Sequence, residues 1–183
     1  MTEQEIYEGC RQGDNKSRRV LYTRYGGMML AVGLRYLSDR QTAEDVLHDV
    51  FVNVLTNFGK FTYRGEGSLS AWLRRVMVNG ALDYLRRNRQ VDTVDVELMR
   101  DAEIEEEAPD VSAIPAKVIM GMIGELPEGY RTVFNLYTFE EMSHREIAEH
   151  LGINEKSSSS QLSRAKSLLA KRIKEYLRKE SNI

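Results

Sequence analysis

The 183-residue chain has one cysteine, one tryptophan, three prolines and three histidines. A lone Cys10 excludes a disulfide framework, and the Cys/His spacings of zinc sites are missing. Long apolar runs are missing too; the longest, Met28 to Leu34, is far too short to span a bilayer. The opening Met1-Thr2-Glu3-Gln4-Glu5 is acidic and polar, unlike a secretory signal. These absences point to a soluble, cytoplasmic protein. Catalytic constellations are also absent. His144 and His150 flank Arg145, where a zinc protease requires glutamate, and Gly65-Glu66-Gly67 lacks the third glycine and preceding strand of a dinucleotide loop. His48 stands alone on an acidic helix. The chain is therefore expected to be no enzyme, to bind no metal and to need no cofactor.

An excess of charge of one sign is lacking as well: 26 basic against 28 acidic side chains leave a net −2. That total conceals an uneven distribution. Residues 1–87 sum to +3, the stretch from Asn88 to Pro115 to −7, and residues 116–183 to +2. The acidic stretch holds few large apolar residues and two of the three prolines, Pro109 and Pro115. Such a segment cannot bury enough surface to offset its ordering entropy and reads as a linker. The expected organisation is a helical domain over 1–90, an acidic flexible linker over 91–113 and a second helical domain over 114–183. The fold class is all-α: glycine and proline are sparse inside the domains, and no strict alternation argues for strands. The periodicity predicts helices at about 3–12, 15–37, 40–58 and 69–88, then 114–124, 128–138, 144–151 and 155–178.

Three surfaces exceed what a plain helical bundle needs. The helix capped by Ser38-Asp39 has a broad apolar face of Val46, Leu47, Val50, Phe51, Val54, Leu55 and Phe58, with Val52 beside it. It also carries Asp45 and Asp49 at i and i+4, a like-charge pair suited to a basic partner. The second surface is the segment from Phe58 to Gly67, with three aromatics, two bases and three glycines in ten residues. Aromatic faces interleaved with cations are what unstacked bases need. On the helix after it, a 100° step groups Arg75, Asn79, Leu82 and Arg86 in one sector, a stripe able to meet phosphates and base edges.

The third surface begins at Ser143, spaced from Glu146 as a capping box. Ile147, Ala148 and Leu151 form a short buried face, Gly152 suits a left-handed helix end, and Asn154 can cap the next helix. This is the pattern of a helix-turn-helix. On the following helix Leu162, Ala165, Leu169, Ile173 and Tyr176 face inward, while Lys156, Ser159, Ser160, Ser163, Ser167 and Lys174 face out with Arg164 on the flank. Small hydroxyls and lysines on such a face fit a major groove.

In this order the three surfaces resemble a bacterial RNA polymerase sigma factor of the extracytoplasmic-function (ECF) class of the sigma-70 family. Thr42 to Phe51 is similar to the family's polymerase-docking helix. Leu69 to Leu73, with Asn79, Asp83 and Leu85-Arg86-Arg87, is similar to its promoter-melting helix. Leu126-Pro127 to Phe134, then Ser143 to Arg164, is similar to its final domain. The resemblance implies that Asp45, Asp49, Phe51, Val52 and Leu55 dock on the clamp helices of the largest subunit of core RNA polymerase. It implies that Phe61, Tyr63, Arg64 and Ser68, with Arg75, Asn79 and Arg86, serve the minus-10 element of promoter DNA. Lys156, Ser159, Ser160, Ser163 and Arg164 would read the minus-35 element, and an anti-sigma factor is a possible further partner. Two departures matter. Where the family opens its recognition helix with a threonine-valine-basic-serine-basic run, this chain has Ser157-Ser158-Ser159-Ser160-Gln161. Ser158 puts a hydroxyl on the buried face, and two expected cations are missing, for which Lys156 partly compensates. The rival reading is a helix-turn-helix regulator acting on duplex DNA without polymerase.

Overall fold

The computed structural model describes residues 1–88 and 110–180. The chain divides into two units, Met1–Gln90 and Val91–Ile183. Every regular element among the described residues is helical, and each is described within its own unit. Residues 89–109, most of the predicted acidic linker, lie outside the described residues.

The first unit contains α1 (Glu3–Arg11), α2 (Asn15–Tyr36), α3 (Arg40–Thr56), a 3-10 turn (Phe58–Lys60) and α4 (Ser68–Asn88). Local caps define three of the four helix starts. Thr2 and Glu5 form a reciprocal capping box on α1. Asp14 accepts from the Lys16 and Ser17 amides at the head of α2. Asp39 accepts from the Thr42 amide at 2.7 Å at the head of α3. Those bonds hold the Asp39 carboxyl below its ordinary value. The helices close over Ile6, Leu21, Met29, Tyr36, Leu69, Leu73 and Met77, all fully buried. Two glycines permit the close crossings: a Cβ on Gly33 of α2 would overlap Met77 Cε, and one on Gly80 of α4 would overlap Val50 Cγ2 of α3. Cys10 lies in this core, where burial pushes its thiol up to about 11.

The second unit contains α5 (Ala116–Gly124), α6 (Glu128–Thr138), α7 (His144–Leu151) and α8 (Glu155–Glu180). Its core joins Ile114, Ile123 and Leu126 to Ala165, Leu169 and Ile173 of α8. Val133, Leu136 and Ile147 are fully buried as well. Carbonyls at and just beyond the end of α5 are satisfied by two arginines. Arg131 Nη1 donates to Gly124 O at 2.8 Å and to Leu126 O at 3.2 Å. Arg172 donates to Met122 O at 2.8 Å and to Glu125 O at 3.3 Å. Burial lowers the Arg131 guanidinium from its ordinary value, and the nearby Glu128 opposes that shift.

No helix among the described residues is long and apolar enough to cross a membrane.

Candidate interaction surfaces

On α3, Asp45, Asp49 and Val52 occupy positions i, i+4 and i+7, so they share one stripe. All three are exposed, and Val52 is 55% accessible. Leu55 flanks the stripe and is half-buried. Phe51 differs from the expectation that it docks a partner. The 100° step turns it away from Asp45, and it is only 4% exposed, packed against Tyr22 with ring centroids 4.7 Å apart. Tyr22 of α2 covers Phe51 and is itself 52% accessible. The single-helix pattern could not reveal Tyr22, because it comes from the preceding helix.

The aromatic segment splits into a floor and a rim. Phe61 belongs to the floor: it is 9% exposed and its ring stacks on Trp72 at 4.7 Å and 17°. Phe58 stands edge-on to Trp72 below it. Phe61 is thus covered on a ring face by Trp72. Tyr63 and Arg64 form the rim, half-buried and exposed respectively. Desolvation and the carboxylates of Glu3 and Glu66 raise the Tyr63 phenol from its ordinary value. Ser68 is occupied by the loop itself: its hydroxyl donates to Gly65 O at 2.6 Å and accepts from the Arg64 amide at 3.1 Å. Along α4, Arg75, Asn79 and Arg86 are exposed, but Leu82, in the same sector, is 4% exposed and interrupts the stripe. Arg86 pairs with Asp83 at 3.3 Å.

The loop's ends are tied by residues that sequence reasoning missed. The Glu3 carboxylate, 5% exposed, accepts from the Gly67 amide at 2.7 Å and the Leu69 amide at 2.6 Å. Tyr7 donates its hydroxyl to Phe61 O at 3.3 Å and stacks on Tyr63 at 5.5 Å and 22°. No local signal reports either contact, since each spans more than fifty residues of sequence.

In the second unit the helix-turn-helix geometry follows the sequence closely. Ser143 and Glu146 complete their capping box, and hydrogen bonds from the Ser143 hydroxyl and amide hold Glu146 below its ordinary value. Gly152 ends α7 in the left-handed region at φ 67°, which favours glycine. Asn154 accepts from the Ser157 amide at 2.7 Å and starts α8. Lys156, Ser159 and Ser160 are exposed, and Ser163 and Arg164 are half-buried beside them. Ser158 is fully buried, and its hydroxyl lies 2.9 Å from His144 Nδ1 of α7. His144 stacks on Tyr137 at 5.0 Å and 24°, and Lys166 Nζ lies 5.5 Å from the Tyr137 ring centroid. The serine that departs from the family pattern therefore has a matching partner.

Comparisons with known proteins agree with this division. Residues 21–91 match the family model described as Sigma-70 region 2, and residues 116–169 match that for Sigma-70, region 4. The RNA polymerase sigma-H factor of Pseudomonas aeruginosa is 28% identical, over 96% of each chain. The ECF RNA polymerase sigma-E factor of Haemophilus influenzae is also 28% identical, over 94% of this chain and 96% of its own. Among solved structures, the chain resembles the sigma factor RpoE of Bartonella quintana, in complex with the anti-sigma factor NepR. The TM-score is 0.51 at 17% identity, covering 85% of this chain and 96% of that one. It also resembles CnrH in complex with the cytosolic domain of CnrY, with a TM-score of 0.50 at 21% identity, over 94% and 97% of the two chains. At these identities the structural likeness speaks to the fold alone.

Proposed function

The chain belongs to the sigma-70 family of RNA polymerase sigma factors, in its ECF class, and from that premise we propose how its surfaces divide the work of promoter recognition. As a sigma factor it directs core polymerase to promoters and starts DNA melting. The observation that carries this reading is the pairing, in one chain and in family order, of a region 2 match and a region 4 match. A free-standing helix-turn-helix regulator accounts for the second match alone.

Docking on the polymerase clamp helices is assigned to Asp45, Asp49 and Val52, with Leu55 on the flank. Their shared exposed stripe and paired carboxylates suit a basic partner face. Tyr22 joins them at the edge, and Phe51 supports the surface from beneath. Tyr63 and Arg64 are assigned to base capture at the minus-10 element, over a floor of Phe61 and Trp72. Ser68 holds the loop, and Arg75, Asn79 and Arg86 face the DNA. Trapping a base costs a few kcal/mol of unstacking, which the aromatic rim and the polymerase contacts must offset. Lys156, Ser159, Ser160, Ser163 and Arg164 are assigned to the minus-35 duplex.

The acidic stretch 91–113 joins the two domains and works as a tether. No reaction is catalysed by this subunit itself, no cofactor is needed, and its place of work is the cytoplasm, with polymerase and promoter. An anti-sigma partner is proposed as well, because the two solved structures described above are complexes, one of them named as a sigma factor with an anti-sigma factor.

Run-off transcription tests the reading. Core polymerase with this protein should initiate at a discrete set of genomic promoters, and core polymerase alone should not. Asp49→Arg should abolish both initiation and co-purification with core polymerase. If Asp49→Arg still co-purifies and transcribes, the docking assignment is wrong; if the wild-type protein gives no promoter-specific transcripts, the whole reading fails.

A further inference from the structure

The segment proposed to capture a base is short, and its rim residues Tyr63 and Arg64 must hold one shape to receive it. Ser68 bonds the loop from within, at the Arg64 amide and Gly65 O, and the two long-range ties at its ends come from α1. Glu3 and Tyr7 lie at i and i+4, hence on one face of that helix. Tyr7 holds the entry of the loop through its bond to Phe61 O, at 3.3 Å, and supports Tyr63 by stacking. Glu3 holds the exit, where one carboxylate receives the amides of Gly67 and Leu69 at 2.7 and 2.6 Å.

Those two amides belong to the start of α4, where backbone N–H groups have no intrahelical partner and the helix dipole is positive. No side chain within α4's own sequence neighbourhood takes the Leu69 amide, and Leu69 is fully buried. Gly67 sits at φ 88° and Gly65 at φ 113°, so the exit of the loop adopts a backbone that only glycine takes readily. A buried carboxylate bridging two amides is a strong, directional clamp on such a turn. Both α1 residues precede the segment matched by the region 2 model, residues 21–91.

We infer that Glu3 is a positioning residue for base capture, with Tyr7 as its second support. This inference rests on the promoter-opening reading of the Tyr63–Arg64 rim. Glu3 touches no DNA; it raises the fraction of molecules in which the rim is already in its receptive shape. If losing both bonds drops that fraction to about a tenth, the apparent affinity for the extruded base falls about tenfold.

The test uses full-length protein assembled with core polymerase and a promoter fragment obtained from run-off transcription. The fragment carries a single-stranded minus-10 segment with 2-aminopurine at each position in turn. Wild-type holoenzyme should shift the fluorescence at the captured position. Glu3→Ala should weaken binding of that single-stranded segment about tenfold and lose the fluorescence signature. Assembly with core polymerase and binding of minus-35 duplex should stay at wild-type levels. Glu3→Gln, which keeps one acceptor oxygen, should fall between the two, and Tyr7→Phe should cost a smaller factor. Hydrogen exchange should show the Gly67 and Leu69 amides deprotected while the α2 and α4 cores stay protected.

If Arg64→Ala loses minus-10 binding while Glu3→Ala and Glu3→Gln retain it, the positioning role is overturned and the loop assignment survives. If Arg64→Ala and Tyr63→Ala also bind normally, the loop assignment itself fails. Equal losses at the minus-10 and minus-35 elements would show general unfolding and overturn the inference too. Should Glu3→Ala fail to fold, Glu3→Gln and Tyr7→Phe decide the matter by the same criteria.

Discussion

Gly80 offers a sharp test of how α3 is held against α4. Gly80→Ala adds one methyl group, which meets Val50 Cγ2 on α3. Val50 is β-branched and 6% exposed, so it has little room to rotate away. Overpacking of this kind costs about 1–3 kcal/mol. Replacing an interior helical glycine by alanine returns about 1 kcal/mol through backbone entropy. The expected net effect is a destabilisation of about 1 kcal/mol, with the clash winning.

Gly27 in α2 supplies the matched control: it is exposed, and a Cβ there meets nothing within 4 Å. Gly27→Ala should therefore stabilise by about 1 kcal/mol, leaving the two alanine variants about 2 kcal/mol apart in opposite directions. Trp72 is the single tryptophan and lies in the first unit, so urea unfolding followed by its fluorescence reports that unit alone. Val50→Ala should absorb the added methyl, so that Gly80→Ala becomes neutral or favourable in that background. A Gly80→Ala protein as stable as Gly27→Ala would refute the close-crossing argument.

Two further outcomes concern the helix-turn-helix. Ser158→Ala should cost the second unit about 1–2 kcal/mol by leaving His144 Nδ1 unmatched, and clearly less in a His144→Phe background; thermal melts by tyrosine near-ultraviolet dichroism read this, and equal costs in both backgrounds would remove the pair. Glu146 is depressed below its ordinary value of 4.5 by the Ser143 bonds. Its stabilising contribution is therefore fully present above that value and lost as pH falls through the lower folded-state value. A Glu146→Gln variant should lose the acid-side part of the pH–stability profile, which acid titration of the melting temperature would show.

Much of the fold was legible because its signals are local. Asp39, the Ser143–Glu146 box, Gly152 and Asn154 all act within three or four residues of where they sit, and the helix bounds they set agree with the periodicity to within a few residues. The site was legible only in part. Phe51 and Phe61 look like binding residues in a linear reading, because an aromatic beside charges has no visible partner. Their partners, Tyr22 and Trp72, come from other helices. Glu3 reads as an ordinary acidic first-turn residue, yet its carboxylate caps a helix that begins more than sixty residues later. The Ser158 hydroxyl on a buried face reads as a defect until His144 is placed opposite it.

The arginines folded onto the end of α5 bear on how this protein responds to its ionic surroundings. Counterion release on binding DNA scales with the cations that meet phosphates, about 0.9 ions per contact. Arg131 is buried and Arg172 is bonded to backbone carbonyls and paired with Glu125 at 3.6 Å. Neither displaces an ion from the duplex. A tally of basic residues in this unit thus overstates its polyelectrolyte character, and its grip on DNA should survive a rise in salt better than that tally implies.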